Sequence, residues 1–95
     1  MKALPRFKFR LYVAGDGPNS AQAVANLQAI CQEHLPDHHE IEVIDVLREQ
    51  KRALADGVML TPLLVKLAPA PVQKITGTLS SREPVLQALG LPAMA

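Results

Sequence analysis

The chain has few of the residues on which thiol chemistry depends. It contains one cysteine, Cys31, among 95 residues, and it has no tryptophan. One cysteine cannot form a disulfide within the chain, and the Cys-x-x-Cys pair of a dithiol redox enzyme is missing. We therefore interpret Cys31 as a buried structural thiol. Cysteine usage of this kind is typical of a reducing compartment, so we expect a cytoplasmic protein.

The chain also lacks an excess of charge of either sign. Ten lysines and arginines nearly balance nine acidic residues, which leaves a formal net charge of +1. A nucleic-acid-binding domain normally carries a strong basic excess on one face. No apolar run reaches the roughly 18 residues that a membrane-spanning helix needs. We therefore expect neither nucleic acid nor a membrane as a partner.

The histidines do not form a convincing metal site. His34 and His38 are four residues apart, a spacing that suits two ligands on one helix, but Pro36 interrupts the helix between them. A histidine near the C-terminus of a helix also has a simpler electrostatic role. We predict no metal and no cofactor.

Aromatic residues are scarce, so the core must be aliphatic. Phe7, Phe9 and Tyr12 are the only aromatic side chains, and leucine, valine, isoleucine and alanine supply most of the apolar residues. A chain of 95 residues forms one domain, residues 1–95, near the lower end of what buries an independent core. Self-association to a dimer or a tetramer is compatible with such a small core.

Hydrophobic periodicity predicts the element order βαβαββα. The predicted strands cover residues 7–14, 40–47, 63–67 and 72–76, and the predicted helices cover residues 20–35, 48–57 and 81–90. Gly57 ends the second helix, and Ser81 caps the third, which tolerates Pro84 in its first turn. The last two strands are predicted to pair as an antiparallel hairpin. This order predicts a three-layer α/β domain of the thioredoxin-like class.

The junction between the first strand and the first helix is the place where a thioredoxin-type enzyme would carry its cysteine pair. Here Gly15 and Pro18 break the strand, and Asn19 or Ser20 is predicted to cap the helix with a side-chain oxygen. An anion could approach the helix N-terminus at this loop, but Asp16 opposes it. A thioredoxin-type scaffold without the cysteine pair favours a role in binding and regulation over catalysis.

Several segments together resemble the KaiB family of circadian-clock proteins and the related KaiB-like sensor domains. They keep their order and spacing over residues 7–90. The segments are LYVAGDGPNS (11–20), VIDVL (43–47), LTPLLVK (60–66), PAPV (69–72) and LSSRE (79–83) with the preceding Gly77.

The resemblance implies a non-catalytic regulatory protein that docks on a hexameric KaiC-type ATPase and modulates its cycle. It also implies two folds, a tetrameric ground state and a monomeric thioredoxin-like form, that differ over residues 48–95. Fold switching needs packings that lie within a few kcal/mol of each other. Pro62, Pro69 and Pro71 are candidate cis prolines in the region that differs. We expect the thioredoxin-like form to dominate, because the local pattern of residues 48–76 agrees with it.

The resemblance also suggests partner-binding residues. Lys66, Lys74 and Arg82 match the family pattern and are candidates for steering the chain onto an acidic partner surface. Ordinary solvated charges are an equally good interpretation. Tyr12, on the polar side of the first strand, is either an interface residue or a half-buried support. Gly57 stands where the family pattern has a lysine.

Two other functions compete with this hypothesis. The first is a sensor-type interaction module, related to the input domains of histidine kinases, that serves in stress signalling. The second is a thioredoxin-like or glutathione-dependent redox enzyme, which the missing cysteine pair disfavours.

Overall fold

The computed structural model describes residues 5–91, and its element order confirms the predicted βαβαββα arrangement. The strands are β1 (Phe7–Val13), β2 (His39–Asp45), β3 (Leu63–Ala68) and β4 (Gln73–Thr76). The helices are α1 (Pro18–His34), α2 (Gln50–Ala55) and α3 (Arg82–Leu89). No helix within residues 5–91 is long and apolar enough to cross a membrane.

The four strands form one mixed sheet in the order β2-β1-β3-β4. β1 and β2 are parallel, because α1 carries the chain back across the sheet between them. β3 is antiparallel to β1 and to β4, and the short link 69–72 completes the predicted hairpin. Helices α1 and α3 pack on one face and α2 on the other, which confirms the three-layer thioredoxin-like class.

The larger core lies between the sheet and the helices α1 and α3. Alternation along β1 sends Phe9 and Leu11 to this side, where both are buried. Leu27 and Ile30 of α1 and Leu86 of α3 belong to the same cluster. Most of these side chains are aliphatic, so this face is stabilised by many small apolar contacts.

The opposite face of the sheet carries a smaller core beneath α2. Tyr12, Ile44, Leu63 and Val65 form it together with Ala53, the buried residue of α2. Since the covering helix contributes one small buried side chain, this layer is thin. The two faces of the sheet are therefore covered unequally.

The start of α1 differs from the prediction. Pro18 is the first residue of the helix, Gly17 is its N-cap, and no side chain caps it. Proline suits this position, because the N–H that it lacks would have no partner within the helix. The prediction that Asn19 or Ser20 caps the helix is therefore wrong. Ser20 lies buried in the first turn, and its hydroxyl donates to the carbonyl of Ala14 at 3.4 Å.

Glycines end two of the helices, and the end of α2 at Gly57 is the one that was predicted. Gly57 has a φ of 66°, and its N–H donates to the carbonyl of Leu54 at 3.1 Å. The next N–H, from Val58, donates to the carbonyl of Ala53 at 2.9 Å, which completes a Schellman motif. Gly90 closes α3 in the same left-handed conformation.

The start of α3 follows the prediction in position but not in bonding. Ser81 is the N-cap residue, and Pro84 lies in the first turn of the helix. The hydroxyl of Ser81 makes no capping hydrogen bond, so the predicted side-chain cap is not formed.

All three candidate prolines follow cis peptide bonds, namely Thr61–Pro62, Ala68–Pro69 and Ala70–Pro71. Pro62 is buried immediately before β3, while Pro69 and Pro71 lie in the hairpin link. The part that these prolines play in a change of fold stays a prediction.

Leu64 tests the larger core. Its side chain is fully buried in β3, so Leu64→Ala removes buried methyl groups and leaves a cavity. We expect the free energy of unfolding to fall by about 2–5 kcal/mol. Urea denaturation followed by circular dichroism measures the change.

The same substitution at Leu54 is the matched control, because that side chain is exposed on α2. Leu54→Ala should change the free energy of unfolding by about 0.5 kcal/mol or less. Equal effects of the two variants would contradict the assignment of Leu64 to the core.

Candidate functional site

The junction between β1 and α1 lies opposite the cis Thr61–Pro62 bond. A cleft of about 210 Å³ separates the two segments, and it is lined by Ala14, Gly17, Pro18, Asn19, Ser20, Thr61 and Pro62. Gly15, in the same loop, donates its N–H to Asp45 Oδ1 at 3.1 Å, which ties the loop to the end of β2. None of these residues carries a thiol. The cleft therefore lies where a thioredoxin-type enzyme would carry its cysteine pair, but no cysteine lines it.

Cys31 is a buried structural thiol, as predicted. It is free and completely buried on the inner side of α1. Burial disfavours the thiolate and raises the pKa of Cys31 to about 12. The thiol is therefore protonated at neutral pH and serves as a small core side chain.

The histidines make separate contacts. His39 Nδ1 lies 2.7 Å from the carbonyl oxygen of Leu35, and His34 Nε2 lies 3.8 Å from Glu33 Oε2. Within residues 5–91, no three histidine, cysteine or acidic side chains are placed to hold one metal ion.

Tyr12 is the centre of a polar network beneath α2. Its side chain is 0% exposed, and its hydroxyl donates to Asp56 Oδ2. Arg10 Nη1 donates to the same oxygen at 2.8 Å. Of the two interpretations of Tyr12, this conformation contradicts the interface residue, because the side chain is completely buried. Tyr12 lies beneath α2 as a support that is fully rather than half buried.

The network shifts the pKa values of Asp56 and Tyr12. Hydrogen bonds from Tyr12 and Arg10 hold the pKa of Asp56 below its usual range, so the carboxylate is ionised at neutral pH. Burial, and then the neighbouring carboxylate, raises the pKa of Tyr12 above its ordinary value. The phenol therefore acts as a hydrogen-bond donor rather than as a base.

A second ion pair adjoins this network, since Arg10 Nε also lies 3.5 Å from Glu42 Oε1. Both terminal nitrogens of Arg52 donate to the carboxylate of Glu42 on β2, each at 2.8 Å. These bonds lower the pKa of Glu42. Two arginine–carboxylate pairs thus connect α2 and its C-terminus to the strands beneath it.

The three predicted basic residues have different surroundings. Lys66 is only 4% exposed, and its Nζ lies 5.7 Å from the centre of the Phe7 ring, a cation–π geometry. The prediction that Lys66 is a surface partner contact is therefore wrong. Arg82 is partly exposed and bonds to Glu33 on α1. Lys74, on β4, is exposed, and its Nζ donates to the carbonyl of Asp56 at 3.2 Å.

Lys74 borders an apolar cleft that the sequence did not predict. The cleft has a volume of about 230 Å³. We call it the β4 cleft, and its lining residues are Gly57, Met59, Leu60, Leu63, Lys74 and Thr76. Met59 is 91% exposed and Leu60 67% exposed, although both are large apolar residues. The apolar run before Pro62 was the available signal, but it is equally typical of a buried segment.

Chemically, the β4 cleft is suited to binding a protein surface. It combines two exposed apolar side chains with one cation, Lys74, and no other charged residue among residues 5–91 lines it. Exposed apolar side chains grouped around a concavity are typical of protein–protein contacts. A partner with an apolar group beside a carboxylate would match it.

Comparisons with known proteins agree on one family. A family model described as "KaiB domain" matches residues 10–91. "Circadian clock protein KaiB3" of Synechocystis sp. is 44% identical over 86 residues, which cover 90% of this chain and 84% of that protein. "Circadian clock oscillator protein KaiB" of Nostoc punctiforme is 42% identical over 91 residues, which cover 96% of this chain and 88% of that protein.

Solved structures agree on the fold. The N-terminal domain of SasA from Synechococcus elongatus has a TM-score of 0.74 at 20% identity and covers 100% of this chain and 93% of that one. The thioredoxin Deadhead of Drosophila melanogaster has a TM-score of 0.71 at 10% identity, with 90% of this chain and 79% of that chain covered. At these identities the likeness shows a thioredoxin-like fold and nothing more.

Ionisation of Tyr12 tests the polar network. The chain has one tyrosine and no tryptophan, so the ultraviolet absorbance change on titration reports this phenol alone. Because its pKa is raised, stability from the neutral phenol is present below the ordinary value of about 10 and is lost as pH rises through the folded-state pKa. We expect the absorbance midpoint of the folded protein to lie above that of the urea-unfolded chain.

Asp56→Asn should lower this midpoint, because it removes the negative charge beside the phenol, while burial keeps the midpoint above the unfolded value. Glu49→Gln is the control, since Glu49 contacts Arg52 at 3.3 Å and makes no bond to Tyr12. A midpoint equal to that of the unfolded chain would contradict the buried position of Tyr12.

Proposed function

The chain belongs to the KaiB family, and we propose that it is a non-catalytic regulatory protein that docks on a KaiC-type hexameric ATPase and alters the cycle of that enzyme. The observation that carries the docking part of the proposal is the β4 cleft with its exposed Met59 and Leu60. The match over residues 10–91 supports the class of partner.

The apolar part of the cleft supplies the affinity. Met59 and Leu60 are largely exposed, so a partner that covers them removes their apolar surface from water. Protein interfaces usually draw most of their binding energy from a few such central side chains. Methionine adapts its flexible side chain to an irregular partner surface.

Lys74 supplies the electrostatic part. It is the one cation that borders the cleft, and an acidic partner surface would be attracted to it during encounter. Arg82 is paired with Glu33 on α1, and Lys66 is buried, so neither belongs to this surface. Gly57 brings no charge where the family pattern has a lysine, so Lys74 carries the steering at this cleft.

We propose further that residues 48–95 adopt the alternative KaiB ground-state fold, with tetramer formation, under some conditions. This part rests on the family resemblance. Backbone chemical shifts and mass, measured in one sample over a range of concentrations, test it. Loss of strand shifts at β3 and β4 together with a tetramer mass would support switching, and unchanged strand shifts with a monomer mass at every concentration would contradict it.

The docking proposal predicts that the double variant Met59→Asp, Leu60→Asp binds the ATPase at least about tenfold more weakly. Calorimetric titration with the KaiC-type ATPase of the same organism measures the affinity. Val72→Asp is the matched control, because Val72 is also an exposed apolar residue but lies at the other end of the β3–β4 hairpin. Lys74→Gln should slow association and weaken its dependence on salt.

Two results would overturn the proposal. The first is no binding of the unaltered chain to the ATPase after days of incubation, which allows for a slow change of fold. The second is binding to a histidine kinase without binding to the ATPase, which would establish the sensor-type module instead. Equal affinities of the double variant and of Val72→Asp would retain the partner but exclude the β4 cleft.

A further inference from the structure

The segment from residue 50 to residue 58, which contains α2, is attached to the sheet in an unusual way. We call it the α2 strap. Its backbone hydrogen bonds, as far as the described residues show, are all local: Ala53 to Glu49, Asp56 to Arg52, Gly57 to Leu54 and Val58 to Ala53. Every hydrogen bond between the strap and the sheet uses a side chain. The strap is therefore not part of the backbone ladder that unites β1 to β4.

The apolar contact beneath the strap is also small. Ala53 is its one buried apolar side chain, and Val58 is partly buried against the same cluster. Leu54, the largest apolar residue of the strap, is 79% exposed and points away from the sheet. By comparison, α1 buries Leu27 and Ile30 completely. Because burial stabilises a helix in proportion to the apolar area removed from water, α2 gains far less from packing than α1 does.

Hydrogen bonds from polar and charged side chains attach the strap to the sheet, and most of these bonds are made to Asp56. Its carboxylate accepts from Arg10 and Tyr12, two residues of β1. Its carbonyl accepts from Lys74 of β4 at 3.2 Å. The remaining contacts are at Arg52, whose guanidinium donates to Glu42 and whose carbonyl accepts from the Tyr12 hydroxyl at 3.4 Å. One residue at the end of the strap thus joins it to both β1 and β4.

The surface below the strap is apolar. Tyr12, Ile44, Leu63 and Val65 form a continuous cluster there, and each of them is buried while the strap is in place. Removal of the strap would expose this face without breaking any strand pairing, since the strands pair among themselves.

We propose that the α2 strap opens as one unit from an otherwise folded domain, that Asp56 is its latch, and that opening uncovers a second apolar surface formed by Tyr12, Ile44, Leu63 and Val65. Local opening of this kind occurs in segments that make few apolar contacts and whose backbone hydrogen bonds are separate from those of the rest of the domain. Gly57 and Lys74 also line the β4 cleft, but the inference concerns the attachment of the strap within a single chain and is tested without a partner.

Amide hydrogen exchange of the unaltered protein gives the first test. The amides of Ala53, Asp56, Gly57 and Val58 all donate to carbonyls of residues 49–54. Because a detached helix of six residues is not stable in water, one opening event exposes these amides together. We expect them to share one opening free energy and, after correction for intrinsic rates, to exchange at least about tenfold faster than the amides of α1 and β1. Protection equal to that of α1 would overturn the proposal.

Asp56→Asn gives the second test, because it removes the charge of the latch at nearly constant side-chain volume. We expect exchange in the strap to accelerate by a further factor of about ten, with α1 amides unchanged. Binding of the dye anilinonaphthalene sulfonate should increase in parallel as the apolar face is uncovered. Equal acceleration in α1 and the strap would mean global unfolding, and no acceleration would mean that Asp56 is not the latch; either result overturns the proposal.

Two further variants keep the test specific. Tyr12→Phe retains the ring but removes one donor to Asp56, so it should accelerate exchange in the strap by a smaller factor than Asp56→Asn. Glu49→Gln is the isosteric control, because the side chain of Glu49, the residue before the strap, bonds to Arg52 of the strap and makes no bond to the sheet among the described residues. An effect of Glu49→Gln as large as that of Asp56→Asn would exclude a special role for Asp56.

Discussion

The domain is organised around β1, one of the two central strands of the sheet, each of which is paired along both of its edges. It runs parallel to β2 and antiparallel to β3, and its alternating side chains supply both cores. Phe9 and Leu11 belong to the core beneath α1 and α3, while Tyr12 belongs to the core beneath α2. Because adjacent residues of a strand point to opposite faces, seven residues determine the centre of both layers.

The two faces are stabilised by different kinds of interaction. The face beneath α1 and α3 is almost entirely apolar, and such packing is non-directional and additive over many contacts. The face beneath α2 depends on oriented bonds between a few ions, in which Asp56 and Glu42 accept from arginines. A charge-assisted bond is lost when either partner is replaced. The attachment of α2 to the sheet therefore depends on a small number of residues.

The chain combines a thioredoxin-like scaffold with a β1–α1 junction whose lining carries no thiol. The junction before α1 retains the turn and the neighbouring cis Pro62, but Cys31 lies in the core with a protonated thiol. Exposed apolar and charged side chains meet instead at the β4 cleft, which Met59, Leu60 and Lys74 line. The docking that we propose at this cleft depends on burial and charge, and neither requires a reactive group.

The sequence by itself determined the element order, the hairpin, the glycine stop of α2 at Gly57 and the burial of Cys31. These features depend on alternation, helical spacing and local backbone preferences, all of which act over a few residues. It also carried the family resemblance, since the matching segments lie in order along the chain. Only the tertiary structure decided that Tyr12 and Lys66 are buried and that Met59 and Leu60 are exposed. The polar face of a strand does not reveal whether a helix covers it, and Asp56 meets Arg10 across 46 residues of sequence. Such contacts exist only after the sheet has brought distant residues together, which no local pattern records.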